Sequence, residues 1–206
     1  SNTTMSDLDF TFDAEAAEQG DNFTTRLDTT GRYVGKFTAA RRIVARTGTS
    51  GVALTFEAKE GGLADLNLYA TKPDGTRTFG YNQLQAVMGL LGLKTGLQGV
   101  PGKAQVFDAE LGQRVEQDVT TYPALCGKDV GVVLRKRLYS KDDGSDGWSI
   151  ELAAVFDAVT GATWTEKKAG AMPVKIGKLL ATIKDKDDRK AGAAPEAGAT
   201  DLVGGF

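Results

Sequence analysis

The chain of 206 residues contains no histidine. That absence removes His-based zinc sites, Ser-His and Cys-His nucleophile arrangements and imidazole acid–base chemistry. A single cysteine, Cys126, excludes an intrachain disulfide framework and fits a reducing compartment. No run approaches the 18 or so uninterrupted apolar residues of a membrane-spanning helix. The polar, acidic stretch Ser1–Asp21 does not read as a secretory signal. Phosphate-cradling motifs are missing as well. The nearest approach to G-x-x-x-x-G-K-[ST] is Gly102-Lys103-Ala104, which lacks the hydroxyl that would ligate Mg²⁺. Gly89, Gly92 and Gly96 suit helix packing and capping rather than G-x-G-x-x-G. Asp142, Asp143 and Asp146 lack the downstream Glu of a Ca²⁺ loop and read as a polar hairpin tip. No metal, no cofactor and no enzymatic activity are expected.

What is present is an uneven distribution of charge. The net charge of −2 divides into three parts. Residues 1–30 carry seven acids against one base, residues 31–184 carry 21 bases against 15 acids, and residues 185–206 carry three bases against five acids. A basic centre between acidic ends points toward nucleic acid, although a solvated, unevenly charged surface produces the same pattern.

Residues 1–30 sustain neither helical nor strand periodicity and read as an acidic, loosely ordered arm, with a short strand at Asp9–Phe12. From Gly31 the pattern alternates. Tyr33, Phe37 and Ile43 point one way, and Arg32, Lys36, Arg42 and Arg46 the other. Val52–Lys59 and Ala64–Thr71 follow across Gly-rich turns, giving an antiparallel meander. Tyr81, Leu84, Val87, Met88 and Leu91 then recur at helical spacing. Asn82 and Gln85 form a capping-box signature, and Gly92 is the stop. Gln105–Gln113 and Arg114–Thr121 are expected to pair as a hairpin. In Val130–Tyr139, Val132, Leu134 and Leu138 share one face, and Val133, Arg135, Arg137 and Tyr139 the other. Trp148–Phe156 presents Trp148, Ile150, Leu152, Ala154 and Phe156 together, and a short strand is expected at Ala162–Glu166. Ile176, Leu179, Leu180 and Ile183 predict a C-terminal helix over Pro173–Lys184. Beyond residue 184 the chain is too poor in apolar residues to fold alone and reads as a flexible tail.

The expected fold is therefore mainly β, an OB-type antiparallel Greek-key barrel with extra strands, one helix after the third strand and another near the C-terminus. A single domain spans residues 31–184. Same-face side chains on a strand lie about 6.6 Å apart, close to the spacing of phosphates in an extended single strand. The rows Arg32, Lys36, Arg42, Arg46 and Arg135, Arg137, Tyr139 are thus candidate nucleic-acid contacts, with Tyr139 and Trp164 as stacking platforms. A charged barrel exterior is the competing reading of the same rows.

Gly31-Arg-Tyr-Val-Gly-Lys-Phe-Thr-Ala-Ala40 and Thr49-Ser-Gly-Val-Ala-Leu-Thr-Phe56 resemble the opening strands of bacteriophage single-stranded DNA-binding proteins. Tyr81-Asn-Gln-Leu-Gln-Ala-Val-Met88 is similar to the helix that follows them. Ala124–Gly131 and Val155–Glu166 look like the later strands. The resemblance covers roughly residues 30–170. It implies an OB-type fold that binds single-stranded DNA without sequence preference during phage replication and recombination, in the cytoplasm of the bacterial host. It also implies an acidic C-terminal tail that contacts replication or recombination proteins, here Asp201, Leu202, Val203 and Phe206. Self-association into a homo-oligomer is left open. The alternative is a β-barrel interaction or structural module that binds no nucleic acid.

Overall fold

The computed structural model describes residues 10–21 and 25–190. The tail residues Asp201, Leu202, Val203 and Phe206 lie outside the described residues.

Phe10–Asp13 forms no strand; it leads into helix α1 (Ala14–Gly20), where the Asp13 carboxylate accepts from Ala16 N at 3.1 Å. Three alanines and an Asp cap favour a helix here, and no neighbouring strand offers a ladder. None of its residues is buried. The chain joins the body at Thr25–Leu27, earlier than residue 31. Leu27 N donates to Leu63 O and Leu63 N to Thr25 O, both at 2.9 Å.

The meander forms as expected: β1 (Gly31–Val44), β2 (Ser50–Ala58) and β3 (Leu63–Thr71). Helix α2 (Phe79–Leu90) follows. It begins earlier than the Asn82 signature implies, because Thr78 is its N-cap and ties the turn to the Tyr69 carbonyl. Gly92, at φ 76°, ends it in the left-handed conformation that glycine adopts without strain. The hairpin β4 (Val100–Asp108) and β5 (Gln113–Thr121) pairs without a register break. A 3₁₀ turn at Pro123–Leu125 leads to β6 (Asp129–Ser140) and β7 (Asp146–Phe156). The strand expected at Ala162–Glu166 is instead the start of helix α3 (Trp164–Ala169), opened by a capping box between Thr163 and Glu166. The C-terminal helix is α4 (Lys175–Thr182). It is shorter than Pro173–Lys184 because the Glu166 carboxylate accepts from Val174 N at 2.7 Å and Lys175 N at 3.2 Å, fixing its start. The segment beyond residue 184 is also part of the sheet. β8 (Lys186–Asp188) runs parallel to β6, and Thr30 Oγ1 donates to Asp185 Oδ1 at 2.6 Å.

All eight strands belong to one mixed sheet. β1 is long enough to share one edge between two partners. Its residues 31–36 pair with β6, and Arg41 pairs with Thr121 of β5. Between them the Phe37 and Ala40 carbonyls accept from Gly127 N and Tyr122 N, each at 3.0 Å. The sheet is open and mixed, which corrects the expectation of an antiparallel barrel. Among the described residues no ladder joins β3 to β7, and β8 adds a parallel pair. Helix α2 sits between those two strands. Gln83 Nε2 donates to Leu152 O at 2.7 Å, occupying a β7 carbonyl that closure would use.

Two bulges decide which side chains face inward. In β1 the register steps between Phe37 and Ala39, so inward positions change from odd to even. Phe37 pairs with Phe56 before the step, and Ala40 with Leu54 and Arg42 with Val52 after it. Arg42 therefore does not share a face with Arg32 and Lys36; Arg41 takes that place. In β7 a second step leaves Ala153 unpaired, between Leu134–Leu152 and Val133–Ala154. Trp148, Ile150 and Leu152 line the core face, while Ala154 and Phe156 lie on the opposite one, which corrects the single apolar face expected for this strand.

The main core is built on Phe37 and Phe56, which meet edge to face with centroids 5.9 Å apart, together with Leu54, Leu66, Val87, Leu125 and Val132. Burying each such side chain contributes about 1.5–3 kcal/mol. A smaller core lies on the other face, where Val133, Phe156 and Ile176 are buried against Leu179, Leu180 and Ile183. Through it α4 packs on β6 and β7.

Candidate nucleic-acid interface

The β1 bulge turns Ala39 and Arg41 onto the outer face, beside Thr55 and Ala53 of β2 and Asp65 and Asn67 of β3. These are mostly small side chains and leave a floor of low relief. The β4–β5 hairpin forms the facing wall, and a cleft of about 940 Å³ lies between them. Arg26, Arg41, Lys103 and Arg114 line this cleft, with Asp65 as the one acid among the lining residues. Asn67, Gln105 and Thr55 add amide and hydroxyl groups, and Phe107 projects an exposed ring, 62% accessible, directly opposite Arg114 in the hairpin register.

The four cations are held differently. Arg26 Nη1 lies 2.6 Å from Asp65 Oδ2, and Thr55 Oγ1 donates to the other oxygen of that carboxylate at 3.1 Å. The only acid of the cleft is thereby committed. Lys103 Nζ sits 3.4 Å from both Glu116 and Asp118 across the ribbon, exposed contacts of little energetic weight. Among the described residues Arg41 and Arg114 make no ion pair. Cys126 also lines the cleft; burial raises its thiol pKa, so the thiol stays protonated.

None of the residues predicted from strand alternation lines this cleft. Arg32 shares the outer face with Lys36 but lies over the Phe156 ring, 4.5 Å from its centroid. Lys36 is exposed further along the strand, Arg42 is on the opposite face, and Arg46 lies in the turn after β1. Arg135, Arg137 and Tyr139 do share one face of β6, as predicted, but their charges are already matched. Arg135 Nη2 is 3.2 Å from Glu151, and Arg137 Nε is 2.7 Å from Asp188 of β8 and 3.9 Å from Glu151. The hydrogen bond that Arg137 Nε donates to the Asp188 carboxylate raises the Arg137 pKa and lowers that of Asp188. Tyr139 packs over Gly147, with the Arg137 guanidinium 5.3 Å from its centroid.

Trp164 lies elsewhere, at the first turn of α3. Its ring packs on Gly89 with Lys94 Nζ 5.5 Å from the centroid. It lines a separate groove of about 740 Å³ between α2 and β7, which shares no residue with the cleft. The predicted site residues therefore fall into several separate places, and the residues that do converge, Arg26, Arg41, Lys103, Phe107 and Arg114, were not singled out by sequence.

Among the described residues no three acidic or cysteine side chains converge as a metal centre would require, and no helix is long and apolar enough to cross a membrane. No family model matches the chain, and no curated protein matches it.

Proposed function

We propose that the protein binds single-stranded DNA, without sequence preference, along the outer face of β1–β3 beneath the β4–β5 hairpin. The observation that carries this reading is the cleft itself, where Arg26 takes up the one lining acid and Arg41, Arg114 and the loosely held Lys103 stand beside an exposed aromatic ring. Cations that track a backbone and a ring on which a base stacks are the two requirements of sequence-tolerant single-strand binding. A cleft of this kind, with its platform on an overhanging ribbon, admits a splayed strand more readily than a rigid duplex.

The strand connectivity supports the same reading. β1, β2 and β3, a helix, then β6 returning to β1 and β7 beside it follow the order of an OB-type fold, with β4–β5 inserted after the helix. In OB-type folds the face of the second and third strands holds oligonucleotides, and here that face is the cleft floor. The resemblance of Gly31–Ala40 and Tyr81–Met88 to phage single-stranded DNA-binding proteins sets the proposed role: coating and protecting DNA during replication and recombination in the cytoplasm of a bacterial host.

Fluorescence anisotropy with labelled oligothymidine and with duplex of equal length tests the proposal. The expected result is tighter binding to the single strand. Log affinity should fall with log salt at a slope of about −1.4 to −2.1, for two to three phosphate contacts. Equal affinity for duplex, or binding indifferent to salt, refutes it.

A further inference from the structure

The described segment before the body, residues 10–21, buries nothing of its own. Phe10 and Phe12 are 95% and 86% exposed, and no residue of α1 is buried. Residues 7–21 hold six acids, Asp7, Asp9, Asp13, Glu15, Glu18 and Asp21, and no base. Of the acids within the described residues, Asp13, Glu15, Glu18 and Asp21, none pairs with a cation of the body. Two large rings fully open to water within an acidic stretch call for a cover that is both apolar and basic.

We propose that this arm is the cleft's own ligand, lying in it when nucleic acid is absent and leaving it when a strand binds. The inference rests on the cleft being the nucleic-acid site proposed above. Three features support it. The first is attachment. The chain leaving the arm meets the body at Thr25, and the next residue, Arg26, is itself part of the cleft wall. From Arg26 back to Asp13, with α1 between, the tether reaches about 30 Å, which keeps the arm near the cleft at millimolar effective concentration.

The second feature is charge, six carboxylates in the arm against a cleft whose one lining acid is taken up by Arg26, leaving Arg41, Lys103 and Arg114 in excess. The third is pattern. In Asp7-Leu-Asp-Phe-Thr-Phe-Asp13 the polar residues Asp7, Asp9, Thr11 and Asp13 alternate with Leu8, Phe10 and Phe12. An alternation of this kind puts polar groups, mostly carboxylates, on one side of an extended chain and apolar groups on the other. Phosphates and bases are divided between the two sides of a single strand in the same way. The groups that would hold a strand, Arg41 and Arg114 for its anions and Phe107 for its rings, therefore hold the arm. The arm in turn screens the cleft from ligands too short to displace it.

A spin label reads the contact without any DNA. The full chain with Cys126→Ser and Thr11→Cys carries a nitroxide at residue 11, and amide intensities are recorded at low salt. The expected result is broadening at Arg41, Asn67, Gln105 and Arg114, with Arg137 and Trp164 unaffected. Intensities should return on adding oligothymidine or about 0.5 M salt. No broadening at low salt, or broadening confined to the α2–β7 groove, overturns the proposal. Separately, the full chain with Asp7→Asn, Asp9→Asn, Asp13→Asn, Phe10→Ala and Phe12→Ala should bind oligothymidine roughly fivefold or more tightly than wild type at low salt and equally at high salt. Unchanged affinity at low salt also overturns it. Broadening without DNA binding leaves the arm contact standing and removes the nucleic-acid reading; DNA binding without broadening does the reverse.

Discussion

Two pairs of arginines distinguish the cleft from the β6 row. Arg41 and Arg114 line the cleft and make no ion pair among the described residues, whereas Arg135 and Arg137 are matched by Glu151 and Asp188 at 3.2 and 2.7 Å. A phosphate that meets an unpaired arginine releases about 0.7 of a counterion from single-stranded DNA. At 0.1 M salt each such contact is worth about 1 kcal/mol. Replacing both Arg41 and Arg114 by alanine should therefore weaken binding about 25-fold at 0.1 M salt and flatten the salt slope by about 1.4. A phosphate that reaches Arg135 or Arg137 must first displace a carboxylate of the protein, so the net gain is small. The Arg135→Ala, Arg137→Ala protein should lose less than about threefold in affinity. The assay is anisotropy titration over a salt series, with thermal melting as the folding control, since Arg114 is exposed and Arg41 lies on the outer face. A reversed ranking of the two double variants, with both folded, would place DNA on β6 and refute the cleft.

The Phe107→Ala substitution should leave the melting temperature unchanged, because the ring is 62% exposed, yet weaken oligothymidine binding by about 1–3 kcal/mol in the same titration. A Cβ at Gly131 would overlap the buried Phe156 ring, so Gly131→Ala should cost about 1–3 kcal/mol or more in denaturant unfolding. A Cβ at Gly177 in α4 meets nothing within 4 Å, so Gly177→Ala should stabilise by about 0.4–1 kcal/mol in the same experiment. Asp157 and Glu166 are held at about 2, the first mainly by the Lys167 ammonium, the second mainly by the backbone N–H groups of Thr163 and Val174. Both are lowered on folding from ordinary values of 3.8 and 4.5, so their contribution is complete above about pH 4.5 and is lost as pH falls toward 2. Melting temperature against pH should show that fall in wild type and a smaller one in Glu166→Gln.

Much of the sheet was legible because local signals agreed. The turns at Gly48 and Gly61-Gly62 all adopt positive φ, and the strands between them alternate cleanly. The faces of β6 were legible for a similar reason: from Val130 to Tyr139 its own alternation is unbroken. Where the signals conflict, the reading fails. Thr163 and Glu166 stand three apart as a capping box, but Trp164 and Thr165 favour strand, and only the packing of Trp164 on Gly89 decides for α3. β8 has three residues, too few to show any period, and its partner Arg137 lies 51 positions before Asp188.

The cleft depends on what alternation hides. Phe37-Thr-Ala-Ala40 gives no sign of a bulge, since Ala39 and Ala40 fit either face. With no bulge Ala39 rather than Ala40 would oppose Leu54, Arg41 rather than Arg42 would oppose Val52, and Arg42 would take the outer position. The step therefore exchanges the two arginines, and it is what sets Arg41 on the cleft floor. The facing wall is equally non-local. β4–β5 reaches its place because β1 extends past β6 and offers Arg41 to Thr121, so a ribbon with little burial of its own is anchored at its base. Arg26, Arg41, Lys103 and Arg114 come from four separate segments and meet only through that shared edge. A row of cations on one strand is visible in sequence but tends to attract acids from neighbouring segments, as Arg135 and Arg137 do. A set gathered across the fold around one committed carboxylate leaves Arg41 and Arg114 available to a ligand.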